Sequence, residues 1–206
     1  YCCSEVTMNK QKFSVLMSLY IKENPRYFYQ CMESIIHQTV MPDEIVIVKD
    51  GPLTKELENV LKNYQEKDPQ RYKIIALKEN KGLGLALAEG VRQCSYSLIA
   101  RMDTDDLSVK YRFEKQLKEF EKDPDLDICG SHIKEFDKTP KQIVAKRIVP
   151  LSDAEIKKYQ RKRDGLNHVS VMFKKDAVLR AGNYQHALLM EDSLLWVNMF
   201  KTGAKA

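Results

Sequence analysis

Short apolar runs alternate with helix-spaced stripes through the first hundred residues. Phe13–Leu19 (F-S-V-L-M-S-L) is rich in strand formers and predicts a first strand. Asn24-Pro25 marks a helix start, with proline near the first helical position. Phe28, Met32, Ile35, Ile36 and Thr39 then make one face of that helix. Pro42 ends the connection, and Glu44–Lys49 predicts a second strand too apolar to face water on either side. Beyond the Asp50-Gly51-Pro52 turn, Leu53, Leu57, Leu61 and Tyr64 repeat at helical spacing. Residues 72–77 predict a third strand. The loop Asn80-Lys81-Gly82-Leu83-Gly84 leads into a helix with Leu83, Leu87 and Val91 on its buried side, and residues 97–102 predict a fourth strand. Strands and helices alternate, with a dozen or more residues between strands. That is the pattern of a parallel sheet with right-handed crossovers.

After Asp106 the rhythm changes. Phe113, Leu117 and Phe120 predict an amphipathic helix closed by Asp123-Pro124-Asp125. Residues 127–136 and 142–149 read as strands around a Lys138-Thr139-Pro140-Lys141 turn. Ser152-Asp153-Ala154-Glu155 reads as a capping box opening a basic helix through Lys162. Residues 168–174 alternate, Val169, Val171 and Phe173 against polar neighbours, as in a half-buried strand. Lys175–Arg180 and residues 191–202 predict two final helices, the second ended by Gly203. The chain thus reads as one compact α/β domain of two halves, residues 13–106 of nucleotide-binding type and residues 107–206 of mixed type. Residues 1–12 lack periodicity and read as a disordered or expression-derived stretch.

Composition narrows the class. At 206 residues, 43% hydrophobic and 31% charged, the chain is an ordinary globular protein that can bury a core. No apolar run approaches the ~18 residues that span a bilayer, and no secretory segment is seen. A net charge of +5 suits an anionic substrate or membrane surface, and no nucleic-acid module accompanies it. Five cysteines without a C-x-x-C pair argue against a disulfide framework or zinc site and for a reducing cytoplasm. Cys31 and Cys94 fall in helical patterns as buried small hydrophobes.

The candidate chemistry gathers at the strand ends, where ligands bind in open parallel sheets. Strand one delivers Ser18 and Tyr20, strand two Asp50, strand three the Asn80-Lys81-Gly82 loop, and strand four Asp103, Asp105 and Asp106. Crowded carboxylates repel and call for a counter-charge, and a hard divalent cation takes oxygen ligands. Tyr20 is suited to stacking on a base, Asp50 to accepting from a ring N–H, and Lys81 to meeting phosphate.

The segments V-L-M-S-L-Y, I-V-I-V-K-D-G, E-N-K-G-L-G-L-A, A-R-M-D-T-D-D and M-E-D-S-L-L-W, in that order, resemble the inverting family 2 glycosyltransferases. Those of bacterial capsule, exopolysaccharide and O-antigen synthesis, of the amylovoran-biosynthesis type, are the nearest in kind. The resemblance implies the GT-A (nucleotide-diphospho-sugar transferase) fold: a mostly parallel central sheet flanked by helices, with a mixed acceptor-side half. It implies that Tyr20 and Asp50 meet the nucleotide base. It implies that Asp103 and Asp105 form the D-x-D that grips ribose and a Mn or Mg-bridged diphosphate, with Asp106 beside them. It implies, too, that Asp192 is the catalytic base and that Glu191, Asn167 and His168 line the acceptor side. The implied donor is a UDP-sugar, with GDP- or TDP-sugars as alternatives. The implied acceptor is a saccharide, free or carried on a polyprenyl diphosphate, at the cytoplasmic face of a membrane. Two departures stand out: the frequent V-D-D-G-S is here V-K-D-G-P, with Lys49 and Pro52, and the usual Y-N is Tyr20-Ile21. Family members usually continue further past the last helix, which implies additional acceptor-side residues.

Plainer readings stand beside these. Asp103–106 fit a helix-capping loop. An EF-hand reading fails because Ser108 replaces the required glycine and Leu107 a ligand. Gly82-x-Gly84 follows the third strand and lacks the third glycine of a dinucleotide fingerprint. Asp50 fits a turn former, Tyr20 a core-edge aromatic, His168 a structural histidine and Asp192 a first-turn dipole complement. The run from Lys157 to Arg163 fits a solvated helix face, or a contact for an anionic lipid-diphosphate or membrane surface. Two alternatives compete with transfer: an inactive nucleotide-binding domain, and a haloacid-dehalogenase-like phosphotransferase, whose D-x-D belongs on the first strand.

Overall fold

The computed structural model describes residues 11–187 and 189–206; Cys2, Cys3 and the rest of residues 1–10 lie outside the described residues. The first half alternates as expected: β1 (Phe13–Leu19), α1 (Pro25–Ile36), β2 (Glu44–Lys49), α2 (Lys55–Lys67), β3 (Tyr72–Ala76), α3 (Leu83–Gln93) and β4 (Leu98–Arg101). Local signals start the helices. The Asn24 side chain accepts from the Arg26 N–H, and Thr54 accepts from Leu57 N–H. β1 to β4 are mutually parallel, with β1 between β2 and β4.

β1 and β2 are apolar on both sides because each side meets a core. Phe13, Val15, Met17 and Leu19 pack with α1, α2 and α4 (Arg112–Lys122), whereas Leu16, Val46 and Val48 pack with α3, α6 (Lys175–Arg180) and α7 (Glu191–Lys201). Gly90 lets α3 lie flush on the sheet. A Cβ there would stand 2.3 Å from Leu16 Cδ1 and 3.0 Å from Val48 Cγ2.

The second half departs from three expectations. The strand expected over 127–136 is two: β5 (Ile128–Cys129) in the main sheet and β6 (Ile133–Phe136), which pairs with β7 (Ile143–Arg147) in a separate ribbon. The break falls at Gly130-Ser131, where Asn167 Nδ2 donates to the Ser131 carbonyl and Ser131 N–H donates to Ser170 Oγ. The strand expected over 168–174 is a 3-10 turn (His168–Ser170) followed by β8 (Met172–Lys174). Ser170 N–H and Oγ both donate to the Asn167 carbonyl and tighten that turn. β8 is not half-buried: it runs antiparallel between β4 and β5, giving the order β3-β2-β1-β4-β8-β5, and Met172 and Phe173 feed opposite cores. The basic helix α5 (Asp153–Tyr159) stops before Lys162, and its capping box is not formed, because Ser152 Oγ donates to the Glu155 carboxylate at 2.7 Å. α6 and α7 form as expected, and Gly203 follows α7 at φ +87°. No helix among the described residues is long and apolar enough to cross a membrane.

Candidate active site

The carboxyl ends of β1 and β4 lie side by side where the chain's direction of winding reverses, the point at which such sheets open a crevice. β4 ends on Arg101, 1% exposed, whose guanidinium pairs with the half-buried Asp103. The Asp103 carbonyl accepts from Cys31 Sγ, and Thr104 is buried. Asp105 and Asp106 follow; burial and their neighbours raise the Asp105 carboxyl and push Asp106 up to about 6. Glu23, from the loop after β1, belongs to the same group. Burial, then Asp105 and Asp103, push it up to about 7, against a hydrogen bond from Thr104.

These are all hard oxygen donors, the chemistry that suits a divalent cation. Among the described residues no group of three or more His, Cys, Asp or Glu converges in cage-like metal geometry. One or two of these carboxylates, with phosphate oxygens completing the shell, suit a divalent cation. Below the cluster lies Arg112, buried, with its guanidinium lowered to about 10 by burial. It donates to the Arg101 and Val171 carbonyls at 2.7 and 3.1 Å, while Gln116 Nε2 donates to the Ser170 carbonyl. The two side chains tie the acidic strand end to the turn that carries His168.

Asp50 is only 3% exposed and its carboxylate is occupied: Lys81 N–H donates at 2.6 Å and Gly82 N–H at 3.0 Å. Its expected use as an acceptor for a base therefore competes with a role in holding the 80–82 loop. Asn80 Nδ2 adds a bond to the Asp50 carbonyl. Gly51 has φ +87° and a Cβ there would stand 2.8 Å from Asn80 N, so glycine is required twice over. Lys81 is exposed, Tyr20 is 36% exposed and Ser18 is half-buried. Lys49, which replaces an acid of the family pattern, pairs with Glu58 of α2.

Asp192 sits in the first turn of α7. Its Oδ1 accepts from Ser193 N–H at 2.8 Å, and Ser193 Oγ donates to Asp164 at 2.6 Å. A helix N-terminus by itself favours the ionised carboxylate. Here burial and Asp164 outweigh the Ser193 N–H and Arg101, and the Asp192 carboxyl lies above the usual range. His168 Nδ1 is 4.0 Å from Asp192 Oδ2, and His168 Nε2 shares a 2.8 Å hydrogen bond with the Tyr184 hydroxyl. Burial and Arg101 hold His168 well below its ordinary value, so it is neutral at pH 7. Asn167 is 1% exposed, and its amide is committed to the Ser131 carbonyl. It shapes the turn from inside.

Two contacts bring α7 to this edge. A Cβ on Gly84 of α3 would stand 2.3 Å from the Gln185 carbonyl and 3.1 Å from Glu191 Cβ. Asn183 Nδ2 also donates to the Ala88 carbonyl and so holds the preceding segment on α3. Arg101 pairs with Asp103 on this edge. Burial opposes its charge and Asp103, then Tyr184 and Asp192, favour it; among the described residues its Nε has no hydrogen-bond partner. Sequence reasoning missed Glu23, Arg101, Arg112 and Tyr184. Glu23 was recoverable from its place just beyond the first strand end. A buried arginine or tyrosine leaves no periodic signal.

The D-x-D lies at the end of β4, not β1, which removes the haloacid-dehalogenase-like reading. The family model described as Glycosyl transferase family 2 matches residues 14–185. The chain is 42% identical to the amylovoran biosynthesis glycosyltransferase AmsE of Erwinia amylovora, over 93% of this chain and 70% of that protein. It is 40% identical to the UDP-Gal:alpha-D-GlcNAc-diphosphoundecaprenol beta-1,3-galactosyltransferase of Escherichia coli, over 93% of this chain and 69% of that protein. The mannosyltransferase PcManGT of Pyrobaculum calidifontis, solved with GDP-Man and Mn²⁺, superposes with a TM-score of 0.70 at 15% identity. That match covers 95% of this chain, which spans about half (53%) of the solved chain. With the order of its strands, the placement of its acidic edge and these matches, the chain belongs to glycosyl transferase family 2 and has the GT-A fold.

Proposed function

We propose that this chain transfers a sugar from a nucleoside-diphosphate sugar, a UDP-sugar first, to a hydroxyl of a lipid-diphosphate-linked saccharide, with inversion. The observation that carries the reading is Arg101. Its buried guanidinium pairs with Asp103 of the diphosphate grip, and Arg112 ties its carbonyl to that of Val171, beside the turn whose His168 stands 4.0 Å from Asp192 of the base side. The relative that acts on GlcNAc-diphosphoundecaprenol supports the acceptor class, and its UDP-Gal supports the donor.

In this reading Asp192 takes the proton of the acceptor hydroxyl as that oxygen attacks the anomeric carbon. Burial and Asp164 raise its carboxyl, which makes it a stronger base than an ordinary carboxylate. His168, neutral and bonded to Tyr184, sits beside Asp192 without competing for the proton. One or two of Asp103, Asp105 and Asp106 would hold a Mn²⁺ or Mg²⁺ ion, which would neutralise charge on the departing nucleoside diphosphate. Tyr20 stacks on the base, Lys81 meets phosphate, and Asp50 keeps the 80–82 loop in shape for that contact.

The test is a panel of UDP-, GDP- and TDP-sugars with Mn²⁺ or Mg²⁺ and a polyprenyl-diphosphate-linked GlcNAc acceptor. Asp192→Asn should lower transfer by roughly 10²–10⁴-fold and leave UDP binding by calorimetry intact. Transfer within tenfold of the parent would overturn the base assignment.

A further inference from the structure

One face of the molecule is left without a use by the catalytic reading. Among the described residues β6 and β7 pair only with each other, and all five residues of β7 are exposed. Isolated two-stranded ribbons are marginal in water, and clustered exposed aliphatics mark contact surfaces. Val144, Ile148 and Leu151 are 65%, 69% and 81% exposed. The ribbon runs into a groove of about 700 Å³ against α5, with Ile148, Pro150 and Tyr159 as apolar lining and Lys158, Lys162 and Arg163 as cations; Glu155 is its one acid.

The cations point to the occupant. Among the described residues Lys158, Lys162 and Arg163 have no ion-pair partner, although Lys157 beside them is paired with Asp153. Residues 133–163 hold ten Lys and Arg against four Asp and Glu, an excess larger than the +5 of the whole chain. A nucleic acid would use the cations but leave the aliphatics in water. A second copy would bring the same positive face against itself. An anionic bilayer takes both features, with aliphatics at the headgroup boundary and cations on the phosphates.

We propose that the β6–β7 ribbon and the α5 face together dock the protein on an anionic phospholipid bilayer. The surface adjoins the reaction edge, because Arg163 precedes Asp164, whose carboxylate accepts from Ser193 beside Asp192. Its use in presenting a lipid-linked acceptor rests on the function proposed above. The contact itself rests on charge and exposure alone.

The chain is sedimented with vesicles of phosphatidylcholine, alone or with about 30% phosphatidylglycerol. Binding is expected only with phosphatidylglycerol and should fall as salt rises to about 0.5 M. Lys158→Gln, Lys162→Gln and Arg163→Gln combined should lower vesicle partition on the order of 100-fold. Val144→Ser with Ile148→Ser should lower it at least about fivefold. Both variants should keep the parent's thermal unfolding and its transfer to a water-soluble acceptor. Equal binding to neutral vesicles, or unchanged binding by the triple variant, overturns the proposal. So does loss of soluble-acceptor transfer by the triple variant, which would make the groove an acceptor subsite. Failure of the parent to transfer from any donor would instead overturn the catalytic reading and leave the vesicle result standing.

Discussion

Replacing Glu23 with Gln should make the protein more stable at pH 8 and hardly change it at pH 5. Glu23 is held at about 7 against an ordinary 4.5, by burial and then by Asp105 and Asp103. Between those values the native state binds a proton that the unfolded chain has released. Stability therefore falls as pH rises through that window and the penalty is complete above it. A carboxyl displaced this far costs the ionised native state at most about 3 kcal/mol; partial exposure reduces this to about 1–2 kcal/mol. Glutamine keeps an oxygen for the Thr104 hydroxyl and removes the charge. Urea unfolding followed by Trp196, the single tryptophan and fully buried, reads the difference. The midpoint should rise at pH 8 with an unchanged slope. At pH 5 the gain should shrink to about a quarter, because the native wild-type carboxyl is then protonated. An equal gain at both pH values, or a loss at pH 8, refutes the electrostatic account of this cluster.

Arg101→Met leaves Asp103 without its buried partner and should cost about 2–3 kcal/mol in the same unfolding assay. It also removes a cation that opposes the raised Asp192 carboxyl, so the acid limb of kcat/KM should move to higher pH. Gly84→Ala would gain up to about 1 kcal/mol in an open helix. Here its Cβ meets the Gln185 carbonyl, and the net should be a loss of about 1–2 kcal/mol, measured by thermal unfolding. Transfer should fall at least about tenfold as Glu191 and Asp192 shift. Asp50→Ala strands two amides and should cost about 2–4 kcal/mol; hydrogen exchange at Lys81 and Gly82 should speed up, and donor KM should rise.

The half of the fold that repeats was legible. Phe13–Leu19 and Glu44–Lys49 are strands at the expected residues, because a strand buried on both sides leaves an unbroken apolar run. The other half was not, for reasons that are local. The His168–Ser170 turn is closed by a serine hydroxyl bonding three residues back, and such bonds leave the hydrophobic pattern untouched. The segment of β8 alternated in sequence, yet Met172 and Phe173 are both buried, since the two cores they face are assembled from distant segments. At the site, strand-end reasoning placed Asp50 and Asp103 on one edge. It did not foresee that the Asp50 carboxylate is engaged by the loop it was expected to stand beside. Nor did it find Arg101, whose position inside a strand reads as an ordinary β residue until its burial is known.

The insertion of β8 between β4 and β5 also governs when the site can form. On the ribosome, β4 emerges with its outer edge unpaired, and its partner Met172–Lys174 follows only after some seventy more residues. At ordinary synthesis rates that interval is about 4 to 14 s. During it, Leu98–Arg101, apolar apart from its last residue, offers open backbone groups to any neighbouring nascent chain. Slower growth temperature lengthens the interval, and a chain stopped before Met172 never closes it. Truncations at that point should accumulate as aggregates, whereas those that retain β8 should remain in solution.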